Sequence, residues 1–226
     1  MLYGFSLLYG FTGTTDIYAL KNALSEELFI GVAFLLIVGL GFKISVVPFH
    51  FWAPDVYEGA PTPVTGFLST VSKAAGFAVL VRLFMIAFPM DAQMWSMIFA
   101  VLATLTMTLG NLLALAQKNI KRMLAYSSIA HAGYIMIGVA AIYNSEASLS
   151  ELGVTSVVFY LVAYILTNLL AFGIVAVYGY VVGSDDIAAY NGLSRRHPWL
   201  AFAMLIGFLS LAGMPPFGGF IAKVLV

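Results

Sequence analysis

Gly39-Leu-Gly-Phe-Lys43-Ile-Ser-Val-Val-Pro48-Phe-His50 closes one long apolar run, and Leu211-Ala-Gly-Met-Pro215-Pro-Phe-Gly-Gly-Phe-Ile-Ala-Lys223 lies inside another. Each combines glycine, proline, an aromatic ring and a lysine in a stretch that is otherwise hydrocarbon. Proline removes a backbone donor and disfavours helical geometry in the residue before it, so both runs are predicted to be helices that break. Such breaks survive in lipid only where protein or a water-filled cavity satisfies the freed backbone groups. Counting spans, the two helices are five apart and cross in opposite senses. Two inverted five-helix units, each with one broken helix, have that arrangement, and paired interruptions of this kind point to an ion path.

Composition agrees with a membrane setting. The chain is 62% hydrophobic and 9% charged, its mean hydropathy is +1.00, and an ordinary soluble domain carries about 25% charged residues. The fold class is therefore an all-α polytopic transmembrane helix bundle with two discontinuous helices. Runs of roughly 20 apolar residues predict spans at about 28–52, 64–88, 94–116, 123–143, 152–182 and 199–226, with a partial helix over 1–12. All belong to a single membrane domain, expected to be truncated at both ends, because the chain starts and stops in apolar sequence. Lys118, Lys121, Arg122, Arg195 and Arg196 fall on one side of the alternating spans and Lys21 on the other, with Arg82 inside a helix. Basic residues are retained on the cytoplasmic side, so the first group is placed there as topology determinants, together with Asp55 and Glu58. Trp52, Trp95 and Trp199 are predicted as interface anchors.

Ten basic and ten acidic residues cancel, and the chain has no cysteine. Disulfides, thiolate metal sites, iron–sulfur ligation and a cysteine nucleophile are thereby excluded within this sequence. There is no nucleotide-binding glycine fingerprint, no phosphate loop and no metal spacing among the three histidines, so no cofactor or metal site is expected in this chain, and no nucleic acid as partner.

What remains is charge in the wrong solvent. Lys43, Lys73 and Lys223 lie inside spans, where an ionised side chain costs about 2.5–3.5 kcal/mol or more on insertion scales and marks an ion or proton path by default. Lys73 sits near the centre of an otherwise unbroken span. Seven residues beyond Lys43, His50 would share its helix face and extend a water relay, because imidazole exchanges protons near neutral pH. His131, with Tyr126, Ser127, Ser128 and Tyr134, makes a polar stripe of secondary candidates. Plainer readings stand beside these: Lys43 capping carbonyls at its break, Lys73 paired with a neighbouring helix, His50 bonded to backbone, and the His131 stripe holding helices together. Asn111, Thr167 and Asn168 are read as packing contacts. No acid falls inside a span, so each lysine must release its proton or pair with groups elsewhere.

Lys43-Ile-Ser-Val-Val-Pro-Phe-His-Phe-Trp-Ala-Pro-Asp-Val-Tyr-Glu-Gly-Ala-Pro-Thr-Pro-Val64, then Lys73, then Asn119-Ile-Lys-Arg-Met-Leu-Ala-Tyr-Ser-Ser-Ile-Ala-His-Ala-Gly-Tyr134, closely resemble the subunit N branch of the antiporter-like family in proton-pumping NADH:quinone oxidoreductase, respiratory complex I. Mrp-type Na⁺/H⁺ antiporters and membrane hydrogenases share that family, and Val56-Tyr57-Glu58-Gly59 with Lys73 favours N over its sisters L and M. The resemblance implies fourteen helices, of which this chain matches the end of the sixth through much of the twelfth. It also implies a midplane lysine in helices 7, 8 and 12, falling on Lys43, Lys73 and Lys223. A helix-5 glutamate that partners the first of these lies outside the matching region.

By the same resemblance, the function is proton translocation coupled to NADH oxidation and quinone reduction, as a translocase subunit without its own redox centre. NADH, flavin, iron–sulfur clusters and quinone belong to other subunits. Partners would be the antiporter-like M subunit, small K- and J-type subunits and lipid, in a cytoplasmic (inner) membrane, or the corresponding organellar one. A Na⁺/H⁺ antiporter of the Mrp type, a membrane-hydrogenase subunit and a purely structural role stand as alternatives.

Overall fold

The computed structural model describes residues 1–22, 26–88, 92–142 and 147–226, with the side chain of Lys21 outside those described. Among the described residues the chain is helical, with one isolated bridge, Asn119 to Asp186, and no strand. Helices α1 (Leu2–Thr12) and α2 (Glu26–Ile44) pack together, and α3 (Trp52–Gly59) follows after a break. One span, Thr62–Ile86, consists of α4 (Thr62–Phe67), a π-helical turn (Leu68–Ser72) and α5 (Lys73–Ile86). It is followed by α6 (Ala92–Leu115), α7 (Ile120–Ala141) and the long α8 (Ala147–Val182). The short α9 (Leu193–Arg196) leads into α10 (Pro198–Ala212) and, after a second break, α11 (Gly218–Leu225). Among the described residues four helices are long and apolar enough to cross a membrane, and two shorter apolar helices, Ile30–Ile44 and Pro198–Ala212, end at the breaks.

The breaks share one device. At the first, Val46 N–H donates to the Gly41 carbonyl at 2.9 Å and Ser45 N–H to Phe42 at 3.2 Å. At the second, Met214 N–H donates to Leu209 and Gly213 N–H to Ser210, both at 3.0 Å. Each is the Schellman arrangement, which consumes the last helical carbonyls and needs a left-handed residue just past the helix. Gly213 supplies it at φ 79° and Ser45 at φ 62°. A cis X-Pro bond follows in each, Val47–Pro48 and Pro215–Pro216. Neighbours satisfy what is left. Thr106 of α6 accepts the Val47 N–H at 3.1 Å, and the Trp52 indole donates to the Phe42 carbonyl at 2.7 Å.

Two expectations about tryptophan change accordingly. Trp52 caps a helix end, and Trp95 is 1% exposed among Phe84 and Phe99, donating to the Phe88 carbonyl. An indole inside a bundle finds a carbonyl there as readily as at a headgroup. Trp199, 83% exposed beside α9, stays at the surface.

Helices α6 and α7 approach at small residues. A Cβ on Gly110 would stand 2.7 Å from the Ala130 nitrogen, and one on Gly133 would stand 2.8 Å from Met107. Close backbone approach at glycine is how membrane helices gain dispersion and packing contacts. Gly110→Leu should therefore separate α6 from α7 at a cost of about 1–3 kcal/mol, measured as a lower melting temperature of the purified protein.

Helix α3 and the segments that follow α6 and α8 converge on one face. Lys121 pairs with Asp185 at 2.8 Å, and Arg122 reaches Asp55 at 2.7 Å and Glu58 at 2.8 Å. Backbone bonds from Ile120 to Asp185 and from Ile187 to Lys118 join the same segments. Lys121 and Arg122, read as topology determinants, thus also tie α3 and the segment after α8 to the start of α7. Nearby, burial pushes the Tyr190 phenol up to about 12. Surface pairs contribute about 0.2–1 kcal/mol each and fade with salt. Arg122→Gln should lower stability on that scale in dilute buffer, and the difference from the unaltered chain should shrink in high salt, as thermal unfolding at both salt levels would record.

Candidate functional site

The π-helical turn sets Lys73. The span reads as unbroken in sequence, but five residues, Leu68–Ser72, occupy its widened turn directly before the lysine. The carbonyl of Gly66 accepts the hydroxyls of Ser69 at 2.9 Å and Thr70 at 2.7 Å, so side chains satisfy a group at the edge of the irregular turn. Single π-helical turns inside α-helices are frequent at functional sites.

Lys73 emerges 2% exposed. Its ammonium donates to the Ser128 carbonyl at 2.9 Å and the Ser128 hydroxyl at 2.6 Å, on α7. Tyr164 of α8 donates to the same hydroxyl at 2.9 Å, and the Asn168 amide donates to Tyr164 at 3.0 Å and to Ser69 at 2.7 Å. Five polar residues from α5, α7, α8 and the π-helical turn therefore close one buried network. The Tyr57 hydroxyl is buried too and has no hydrogen-bond partner among the described atoms.

His131, three residues beyond Ser128 on α7, is 6% exposed and shares a 2.7 Å hydrogen bond with Tyr160 through Nδ1. Its ring packs against Tyr134, Tyr160 and Tyr164 at centroid distances of 5.8, 5.9 and 5.2 Å, and both Lys73 and Lys223 lie within its electrostatic reach. A cavity of about 10 Å³ touches His131, Tyr164, Thr167 and Ser210, room for about one water. On its other side His131 lines a cleft of about 560 Å³ with Asn111, Gln117, Ser127, Tyr134 and Lys223.

Lys223 is half-buried. Its ammonium donates to the Leu211 and Ala212 carbonyls, both at 3.0 Å, and lies 4.8 Å from the centre of the Tyr134 ring. The role of capping a broken helix, considered for Lys43, is thus filled by Lys223, because the terminal carbonyls of α10 face α11. Lys43 lies in the last turn of α2 and is exposed on this chain, its stem passing beside Gly76 of α5.

His50 does not follow from helical spacing. The chain leaves helical geometry at Ser45, so seven residues no longer amount to two turns. His50 is 6% exposed and stacks on Phe51 at 4.5 Å. The structure thus brings Lys73, His131 and Lys223 around α7 and leaves Lys43 and His50 at the first break. Ser127 lines the cleft and Tyr126 is half-buried.

Tyr160, Tyr164 and the linking role of Asn168 emerge only in the structure. Their signal was present: positions 160, 164 and 168 repeat every four residues and so share a helix face, as do Ser69 and Lys73. Thr167 meets Ser210 at 3.1 Å and Asn111 donates to Tyr134 at 3.1 Å, contacts that join helices. Among the described residues no cluster of three or more His, Cys, Asp or Glu could hold a metal ion.

Similarity to known proteins is extensive. The family model described as NADH:quinone oxidoreductase/Mrp antiporter, TM, matches residues 1–226. NADH-quinone oxidoreductase subunit N of Heliobacterium modesticaldum is 52% identical over 226 residues, covering 99% of this chain and 46% of the relative. A chain of respiratory complex I from Thermus thermophilus, solved with bound Aureothin, superimposes with a TM-score of 0.79 at 42% identity, over 99% of this chain and 47% of that one. A chain of the Mrp complex from Dietzia sp. DQ12-45-1b gives a TM-score of 0.85 at 27% identity, over 99% and 41%. The chain spans about half the length of the curated relatives it matches. A bundle with two opposed broken helices, matched from end to end by this model, belongs to the NADH:quinone oxidoreductase/Mrp antiporter transmembrane family.

Proposed function

We propose that this chain is part of a proton-translocating membrane subunit, of the subunit N type, in an NADH:quinone oxidoreductase. The single observation that carries the reading is Lys73: a lysine inside a membrane span, 2% exposed, held by the Ser128 hydroxyl and carbonyl and by no carboxylate among the described residues. Such a group can change charge without leaving its site, and a change at one lysine alters the next, because charges in low dielectric interact strongly. Protons would pass between Lys73 and Lys223 by way of His131, with Tyr126 and Ser127 at its margins. Lys43 and His50 would serve the first break. NADH, flavin, iron–sulfur clusters and quinone would act in other subunits, M-, K- and J-type membrane subunits would be neighbours, and the setting would be a cytoplasmic or organellar inner membrane.

The identity to the subunit N chains favours this over Na⁺ exchange, although the fold also matches an Mrp complex. The test is to purify the complex containing this chain, reconstitute it in liposomes and follow proton movement on adding NADH and a quinone. Proton uptake at the same rate with and without Na⁺ is expected, together with bound flavin and iron–sulfur subunits. Transport that requires Na⁺ in a complex lacking those subunits would replace the reading with an antiporter.

A further inference from the structure

We propose that Asn168 is a positioning residue for Lys73: its amide fixes the direction of the Tyr164–Ser128 hydroxyl chain, so that Ser128 always offers the lysine an acceptor. The inference rests on the proton-transfer reading of Lys73 and adds a residue that sequence alone assigns to packing.

The argument is an accounting of hydrogens. Ser69 donates its hydroxyl hydrogen to the Gly66 carbonyl at 2.9 Å, so toward Asn168 it can only accept. That orients the Asn168 amide with nitrogen, not oxygen, facing Ser69 at 2.7 Å. The same nitrogen is 3.0 Å from the Tyr164 hydroxyl, and an amide nitrogen has hydrogens but no acceptor lone pair. Tyr164 must therefore accept from Asn168 and turn its own hydrogen onward, to Ser128 Oγ at 2.9 Å. Ser128 Oγ now receives Tyr164 on one side and Lys73 Nζ, at 2.6 Å, on the other.

Reversal is disfavoured. Were Ser128 to donate to Tyr164, the phenol oxygen would accept from both Ser128 and Asn168 and its own hydrogen would have no acceptor in this network, because the amide nitrogen offers none. When Lys73 passes its proton on, the hydroxyl chain keeps its direction and the site remains shaped for an ammonium. Asn168 is 2% exposed, so bulk solvent does not reach it. Tyr57, His131, Tyr160 and Tyr164 are the titratable groups around this node, on α3, α7 and α8.

The test uses the intact complex in liposomes with Asn168→Leu, Asn168→Asp, Tyr164→Phe, Lys73→Met and the double variant Lys73→Met with Asn168→Leu. Four quantities are read: assembled complex, electron-transfer rate, protons moved per electron, and the pH profile of pumping. Asn168→Leu and Tyr164→Phe should assemble, lower pumping by about tenfold and displace the pH profile alike, while Asn168→Leu should add nothing to Lys73→Met. Asn168→Asp keeps the size but has at most one hydrogen to give where the amide gives two, to Ser69 and Tyr164, and should lose pumping as well. It decides the question if the leucine variant fails to assemble.

Normal pumping with an unchanged pH profile in Asn168→Asp, beside a loss in Lys73→Met, would overturn the role of Asn168 alone. An additive loss in the double variant would do the same. Normal pumping in Lys73→Met would instead overturn the reading on which the inference stands.

Discussion

Lys73→Met in the intact complex is expected to lower the proton flux through this chain by about 10²-fold or more, read as fewer protons moved per electron. A positioned proton-transfer group contributes roughly 10²–10⁴-fold to a transfer step, and methionine cannot carry a proton. The same substitution should leave the fold intact. Methionine has a similar length and packs irregular interiors well, and Ser128 Oγ keeps the Tyr164 hydroxyl when Nζ is gone. Removing a buried charge in favour of an apolar side chain is often neutral or stabilising. The melting temperature should therefore hold or rise while pumping falls. Unchanged pumping per electron at normal assembly would point to a scaffold role for this part of the chain.

Gly219→Ala should have the largest structural effect of any single methyl group added near the second break. A Cβ at Gly219 would land on the carbonyl of Ser210, backbone against backbone, so one of the two helices must move. Overpacking of this kind costs about 1–3 kcal/mol. The movement would carry Lys223 away from the Leu211 and Ala212 carbonyls, both of which it reaches at 3.0 Å. Lower assembly and a loss of pumping are expected together. Gly218→Ala is the control, because nothing lies within 4 Å of a Cβ built there, and both quantities should stay near normal. Equal behaviour of the two variants, measured as assembled complex and protons per electron, would refute the packing argument.

The two breaks show how far sequence reaches. Gly213 announces its own left-handed turn, because glycine is the residue that adopts φ 79° without a side-chain clash. Ser45 adopts φ 62° in the equivalent place, and nothing in Phe-Lys-Ile-Ser-Val distinguishes it beforehand. Proline marks the interruption but not the residue at which helical geometry ends, so the seven-residue spacing from Lys43 to His50 does not by itself fix a shared face. The π-helical turn before Lys73 was likewise invisible, since Leu-Ser-Thr-Val-Ser is compatible with an ordinary helix. Tyr160, Tyr164 and Asn168 carried a four-residue repeat, yet a repeat does not say which neighbour it faces.

Transmembrane character, an all-helical bundle, two opposed broken helices and the presence of lysines within apolar runs were determined by sequence alone. Each depends on local properties: apolar length against membrane thickness, the missing donor of proline, and the cost of charge in oil. Tertiary structure decided which lysine is enclosed and by what. Ser128 lies 55 residues from Lys73, and Asn168 lies 99 residues from Ser69. The rotation of each helix about its axis, and so the partner each polar group meets, is set by packing between distant segments, such as the approach of α6 and α7 at Gly110 and Gly133. Hydropathy assigns a residue to the membrane, while close packing assigns it a neighbour.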